Sequence, residues 1–176
     1  RSVLDQPGLS PRTVTRWQRQ FRLRVLGRRL PQEQWPRTRM VMGDDPQLGP
    51  EWHALEHDGD RPFRWGRPTT SFWLGTREGR WLYLDHRFPA PAPPPRTRVL
   101  WEGRELGAFV SRPDVWTRSW FRLPRTGDPL VELTLEAERG WEAREVSPED
   151  PRVMGMALSG MGLCRRREVD SVRDSR

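Results

Sequence analysis

The sequence predicts an all-β sandwich, on three observations. From Trp52 onward the apolar residues fall into short runs of about five to nine positions, the length of strands rather than helices. Each run is bounded by glycine, proline or aspartate, residues that break strands and make turns. In Leu130–Ala137 the residues Val131, Leu133 and Leu135 alternate with Glu132, Thr134 and Glu136, the pattern of a sheet with one wet face.

Taken in order, strands are predicted near 61–65, 69–75, 80–87, 96–102, 105–111, 115–123, 130–137 and 152–163. The breaks are Gly66/Pro68, Gly79, Pro89 to Pro95, Gly103, Pro113, Gly127/Asp128 and Pro148 to Pro151. About eight strands with turn signals at this spacing read as a sandwich or barrel. The proline run 89–95 reads as a stiff crossover between two sheets.

Ahead of the strands, Ser10 to Leu26 carries the signals of one amphipathic helix. Ser10 is an N-cap, Pro11 suits the first helical position, Leu9 and Val14 form a hydrophobic staple, and Gly27 is a stop. Val14, Trp17, Phe21 and Val25 make its apolar stripe, with Arg12, Arg16, Arg19, Arg22 and Arg24 around it. Residues 28–50 hold four prolines and two glycines and read as an extended linker. The expected organisation is helix and linker over 1–50, sandwich over 51–163, and a disordered Arg-rich tail over 164–176.

A chain of 176 residues has room for one ordinary domain and a flanking segment. It is polar, with 34% hydrophobic and 31% charged residues and a mean hydropathy of −0.87, yet ten tryptophans argue against simple disorder. No apolar run reaches the roughly 18–20 residues of a membrane-spanning helix, and the opening RSVLDQPGLSPRT lacks the apolar region of a secretory signal. Since the chain opens without methionine, it reads as trimmed or as the end of a longer protein whose beginning is absent.

All 31 basic residues are arginine and Lys, Ile and Asn are missing, as a GC-rich codon pool would produce, so arginine as such says little about function. The single Cys164 excludes an internal disulfide and a cysteine-cluster zinc site. The net charge of +7 is unevenly spread. Residues 1–43 hold ten arginines against Asp5 and Glu33, a net +8, whereas residues 44–163 hold 16 arginines against 19 acids, a net −3.

Several segments resemble a known family. Trp52-His53-Ala54-Leu55-Glu56, then Phe63-Arg64-Trp65 and Ser71-Phe72-Trp73-Leu74, are similar to the opening of β-sandwich accessory domains found with bacterial glycosyltransferases and methyltransferases of surface-polysaccharide synthesis. Val99 to Gly107 resembles their central hairpin, with Glu102 where asparagine is common. Asp114-Val115-Trp116 with Phe121-Arg122-Leu123-Pro124, and Asp150 to Leu158, resemble two later strands. The resemblance covers roughly residues 51–163. It implies a jelly-roll or galactose-binding-like β-sandwich that binds a glycan or lipid-linked sugar and positions it for an upstream catalytic domain or partner protein.

A sugar site needs an aromatic face for the apolar side of the ring and a few fixed polar groups for its hydroxyls. Trp52, His53, Glu56, Arg64 and Trp65 supply those types; the plainer reading makes both tryptophans core and pairs Arg64 with Glu56. Asp114 and Trp116 stand at a turn-to-strand junction, where Asp114 either meets a hydroxyl or caps the turn. Arg152 either reads an anionic group or ties the last strand to the first through an acid such as Glu56. Trp73, Trp81, Trp101, Trp120 and Trp141 read as core or sheet surface, and Met154, Met156 and Met161 as core filler.

No catalytic residue, metal site or cofactor is predicted. His53 and His57 flank Glu56, but H-A-L-E-H is not the H-E-x-x-H of a zinc helix. Glu56, Asp58 and Asp60 read as a solvated acidic loop rather than the carboxylates of a glycosidase. The competing function classes are a purely structural interaction domain and a nucleic-acid-binding protein, because Gly8 to Trp17 resembles a helix-turn-helix recognition helix. The same basic helix also suits an anionic membrane surface. The expected location is the cytoplasm, in association with the inner membrane surface.

Overall fold

The computed structural model describes residues 39–42, 48–76, 79–90, 93–126, 130–145 and 147–165, all within one compact unit, Pro36–Arg176. The helix expected over Ser10–Leu26, its five arginines and the tail beyond Arg165 lie outside the described residues.

The described residues form twelve strands in chain order: β1 (Arg39–Val41), β2 (Trp52–Asp58), β3 (Arg61–Gly66), β4 (Thr69–Gly75), β5 (Trp81–Arg87), β6 (Arg96–Trp101), β7 (Arg104–Val110), β8 (Thr117–Arg122), β9 (Leu130–Ala137), β10 (Trp141–Glu142), β11 (Val153–Met154) and β12 (Ala157–Cys164). One sheet has the order β2-β3-β12-β5-β8, with β1 also paired to β12; the other has the order β4-β9-β6-β7. All of these pairings are antiparallel. From β3 onward the chain crosses repeatedly between the sheets and β12 returns to lie between β3 and β5. That winding is the jelly roll of the expected all-β sandwich.

The predicted strands appear with local changes. The segment expected as a strand over 152–163 is broken at Gly155, whose N–H donates to the Gly66 carbonyl at 2.7 Å. A side chain there would press on the Arg67 carbonyl oxygen at 2.8 Å, so the backbones approach closely only because the residue is glycine. Two pairings fall in the stretch expected to be linker: β1 joins β12, and Leu48 bridges Phe72. The acidic stretch expected as a loop is mostly β2, and only the turn at Gly59-Asp60 leaves the ladder. The proline run does connect one sheet to the other, from β5 to β6.

The core follows from strand alternation. Along β5, Leu82, Leu84 and His86 point inward and are fully buried while Trp81, Tyr83, Asp85 and Arg87 point outward. Phe72 and Leu74 from β4, Val99 from β6, and Val131, Leu133 and Leu135 from β9 meet them from the facing sheet. In β12 a register shift between Leu158 and Gly160 resets the alternation, so Leu158, Met161 and Leu163 all enter the same core despite their uneven spacing. The β6–β7 hairpin turns through Glu102 and Gly103, with φ of 46° and 80°, a left-handed pair that favours asparagine and glycine. Glu102 tolerates the position because its carboxylate accepts the Glu132 N–H at 3.2 Å.

His86 is the main polar intrusion into that core. Its ring nitrogens each lie 2.8 Å from a serine hydroxyl, Nδ1 from Ser111 and Nε2 from Ser119, and the ring packs against Phe109 at 4.0 Å. Both polar atoms are therefore satisfied, as burial requires.

Candidate functional site

The outward face of the β2–β3 end of the first sheet holds a second apolar cluster of Phe63, Trp65, Phe88, Trp141, Ala143, Met154 and Ala157, with Trp116 packed partly exposed at its margin. The hairpin register puts Glu56 opposite Phe63 and Asp58 opposite Arg61, on this same face. Phe63 stands edge-on to Trp116 at 5.7 Å and to Trp65 at 5.9 Å. A third indole, Trp141, lies 5.7 Å from Trp65. The short β10–β11 ribbon brings Trp141 there by pairing it with Met154.

Around Trp116 the polar groups are fixed. Its indole N–H donates to the Asp58 carboxylate at 2.8 Å. Arg87 bridges Asp58 at 2.5 Å and Asp114 at 2.9 Å. Two guanidiniums lie over the indole, Arg61 at 5.2 Å and Arg87 at 5.9 Å from its centroid, within cation–π range. Asp114 has a left-handed backbone with φ of 54°, a conformation aspartate tolerates better than most residues, and its N–H donates to the Phe88 carbonyl at 2.8 Å. The hydrogen bond from Arg87 holds the Asp114 carboxyl below the usual carboxylate range, so it stays an acceptor in mild acid.

A second polar group lies along the same end. Arg152 reaches Glu56 at 2.5 Å and grips Asp150 through Nε at 2.9 Å and Nη2 at 2.6 Å. The fork keeps the Asp150 carboxyl ionised down to about pH 2, chiefly through the hydrogen bonds from Arg152. His53 Nε2 lies 3.4 Å from the Val153 carbonyl.

Of the eight residues expected to form a sugar site, five, namely His53, Glu56, Asp114, Trp116 and Arg152, stand at this end of the fold with polar or aromatic atoms in reach of solvent. Three do not. Trp65 is only 9% exposed and is the centre of the aromatic cluster rather than a platform. Trp52 packs against the main core and donates its indole N–H to the Ser71 carbonyl at 2.9 Å. Arg64 donates to the His53 carbonyl at 2.8 Å and not to Glu56; it lies opposite Leu55, one residue out of phase with Glu56. The sequence reading missed Asp58, Arg61 and Arg87. Arg87 was legible as the outward phase of β5, but its two aspartate partners depend on strand register, which no local pattern encodes.

Among the described residues no group of three or more His, Cys, Asp or Glu is arranged to hold a metal ion, and no helix is long and apolar enough to cross a membrane. No protein-family model matches the chain and no curated protein does. Among the solved structures similar to it in part are the following two. One is a salicylyl-acyltransferase, SsfX3, from a tetracycline biosynthetic pathway, with 13% identity over 71% of this chain and a TM-score of 0.46. This chain spans 39% of that protein. The other is described as "CBM4 structure and function", with 13% identity, 69% of this chain, 81% of that one and a TM-score of 0.36. The functional reading rests on the side chains and not on these likenesses.

Proposed function

We propose that this chain is a carbohydrate-binding module, a non-catalytic domain that holds a glycan or lipid-linked sugar for a neighbouring catalytic domain in bacterial surface-polysaccharide synthesis. The observation that carries this reading is Trp116: a partly exposed indole, pinned by Asp58, with a rim of charged hydrogen-bonding groups. Stacking of a sugar ring on the indole supplies apolar contact, and Asp58, Asp114 and Arg87 supply acceptors and donors for its hydroxyls. Arg87 is held by two carboxylates and stays in place. Arg61 is exposed and touches the ring without a carboxylate partner among the described residues, so it is the group a sugar displaces.

Screening against bacterial polysaccharide fragments, followed by calorimetry on the best ligand, tests the proposal. Trp116→Ala is expected to weaken binding about tenfold or more, the equivalent of roughly 1.4 kcal/mol. Asp58→Asn is expected to weaken it less, because the amide oxygen still accepts the indole N–H. Absence of binding to every fragment, or equal affinity in Trp116→Ala and wild type, rejects the site.

A further inference from the structure

At the opposite end of the same sheet, three adjacent strands bring arginines to one corner. Trp81 opens β5 and is paired with Arg122, the last residue of β8, on one side and with Cys164, the last residue of β12, on the other. Arg80 precedes Trp81 and Arg165 follows Cys164. Gly79, Arg80, Trp81, Arg122 and Arg165 line an open cleft of about 480 Å³, a size typical of small-molecule sites. No carboxylate among the described residues pairs with Arg80, Arg122 or Arg165. The next residues inward on this face differ: Arg118 is clamped to Asp85 by two bonds of 2.6 Å and lies over the Tyr83 ring at 4.5 Å. Among the described residues, the positive charge at the cleft is thus left unneutralised, beside an indole.

We propose that this cleft binds the anionic group of an acidic saccharide, with Trp81 against a sugar ring and the guanidiniums of Arg80, Arg122 and Arg165 on its carboxylate or phosphate. This rests on the carbohydrate reading above and names the kind of glycan. The described side chains of the cleft are donors and one aromatic surface; they match a ligand rich in acceptor oxygens that also has an apolar face. A concave site whose described charges are all positive also concentrates such a ligand before contact. Trp81, Tyr83, Asp85 and Arg87 point to the same face, so about 20 Å of strand separates the cleft from the Trp116 end, and one extended chain reaches both.

Calorimetric titration of the full chain tests this with five probes: a galacturonate tetramer, glucose 1-phosphate, a neutral glucose tetramer, inorganic phosphate and a single-stranded oligonucleotide. The acidic tetramer is expected to bind more tightly than the neutral one. Its affinity is expected to fall as salt rises from about 25 to about 250 mM, and about tenfold or more in Arg122→Gln, with binding of the neutral tetramer unchanged. Arg122 is exposed, so an unaltered melting midpoint is the folding control, and Arg80→Gln gives a second variant. Glucose 1-phosphate outcompeting the galacturonate tetramer assigns the cleft to sugar phosphates, and the reverse to uronates; either supports the proposal. Equal affinity for acidic and neutral tetramers, both unaffected by Arg122→Gln but weakened by Trp116→Ala, overturns the cleft and leaves the carbohydrate reading standing. Inorganic phosphate binding as tightly as the tetramer, insensitive to Trp81→Leu, overturns the sugar part. A single-stranded oligonucleotide displacing the tetramer at lower concentration overturns it in favour of nucleic acid.

Discussion

Trp65→Ala is expected to cost about 3–5 kcal/mol of stability, the range for deleting a buried aromatic side chain, and to lower the urea midpoint by more than about 1 M. Trp65 is the indole on which the outer cluster is assembled. It lies within 6 Å of both Phe63 and Trp141, and its strand position pairs with Ala157 of β12. Removing it opens a cavity against Phe63 of β3, Trp141 of β10 and Ala157 of β12, so collapse into the space would have to move several strands at once. The expectation separates two roles that the sequence left together. If Trp65 were a sugar platform, the alanine variant would keep its stability and lose affinity. The burial of its ring predicts the reverse order of effects, with Trp116→Ala losing affinity at a smaller cost in stability. A Trp65→Ala variant with the wild-type urea midpoint would contradict this packing.

His86 makes stability fall on mild acidification. Burial pushes the imidazole from its ordinary value of 6.5 down to about 4, and the nearby Asp85 charge offsets only part of that effect. In the unfolded chain the ring takes a proton near pH 6.5, while the folded protein resists it until about pH 4. Unfolding therefore takes up a proton across that window, and stability drops as pH is lowered through it, at most by about 1.4 kcal/mol per unit, or about 3 kcal/mol in all. Protonation also breaks the pattern of bonds, since a neutral ring accepts from one serine while donating to the other, and a cationic ring must donate to both. Urea midpoints measured from pH 7 to pH 4 check this against the triple variant His86→Leu/Ser111→Ala/Ser119→Ala, which removes the ring and both hydroxyls it would otherwise strand. The variant is expected to show a shallower profile in this range. Identical slopes in the two proteins would show that the ring is not the group responsible. Asp150 acts in the same direction but lower on the scale: its contribution is lost only as pH falls toward about 2.

The alternation in β9, and the turn residues that bound each strand, make the sandwich legible in the sequence. Turn chemistry placed the hairpin at Glu102-Gly103, although glutamate there depends on a bond to Glu132 from another strand. What stayed hidden was pairing across the sheet. The sequence allows Arg152 either an anionic ligand or a tie to an acid such as Glu56, and the bridge to Glu56 is formed. Arg87, by contrast, gave no sign of its two aspartates, which come from a hairpin end and a loop far away in sequence. Trp65 lies in β3 and Trp116 immediately before β8, and residue type alone does not tell which indole is covered. That depends on the β10–β11 ribbon bringing Trp141 over one and not the other, and two-residue strands leave almost no periodic trace.

The position of β12 bears on how the protein is made. During synthesis β3 and β5 emerge early, but the partner that joins them, residues 157–164, comes some seventy positions after β5. Until the ribosome releases that stretch, the nascent chain holds two unpaired strand edges flanking an empty lane, and such edges recruit other chains. The main core lacks Leu158, Met161 and Leu163 for the same interval. Folding is thus held to nearly the end of translation of this domain, and rests on contacts distant in sequence, which form slowly. Chaperone dependence in the cell should accordingly follow the delay before β12 appears more closely than the final stability of the sandwich.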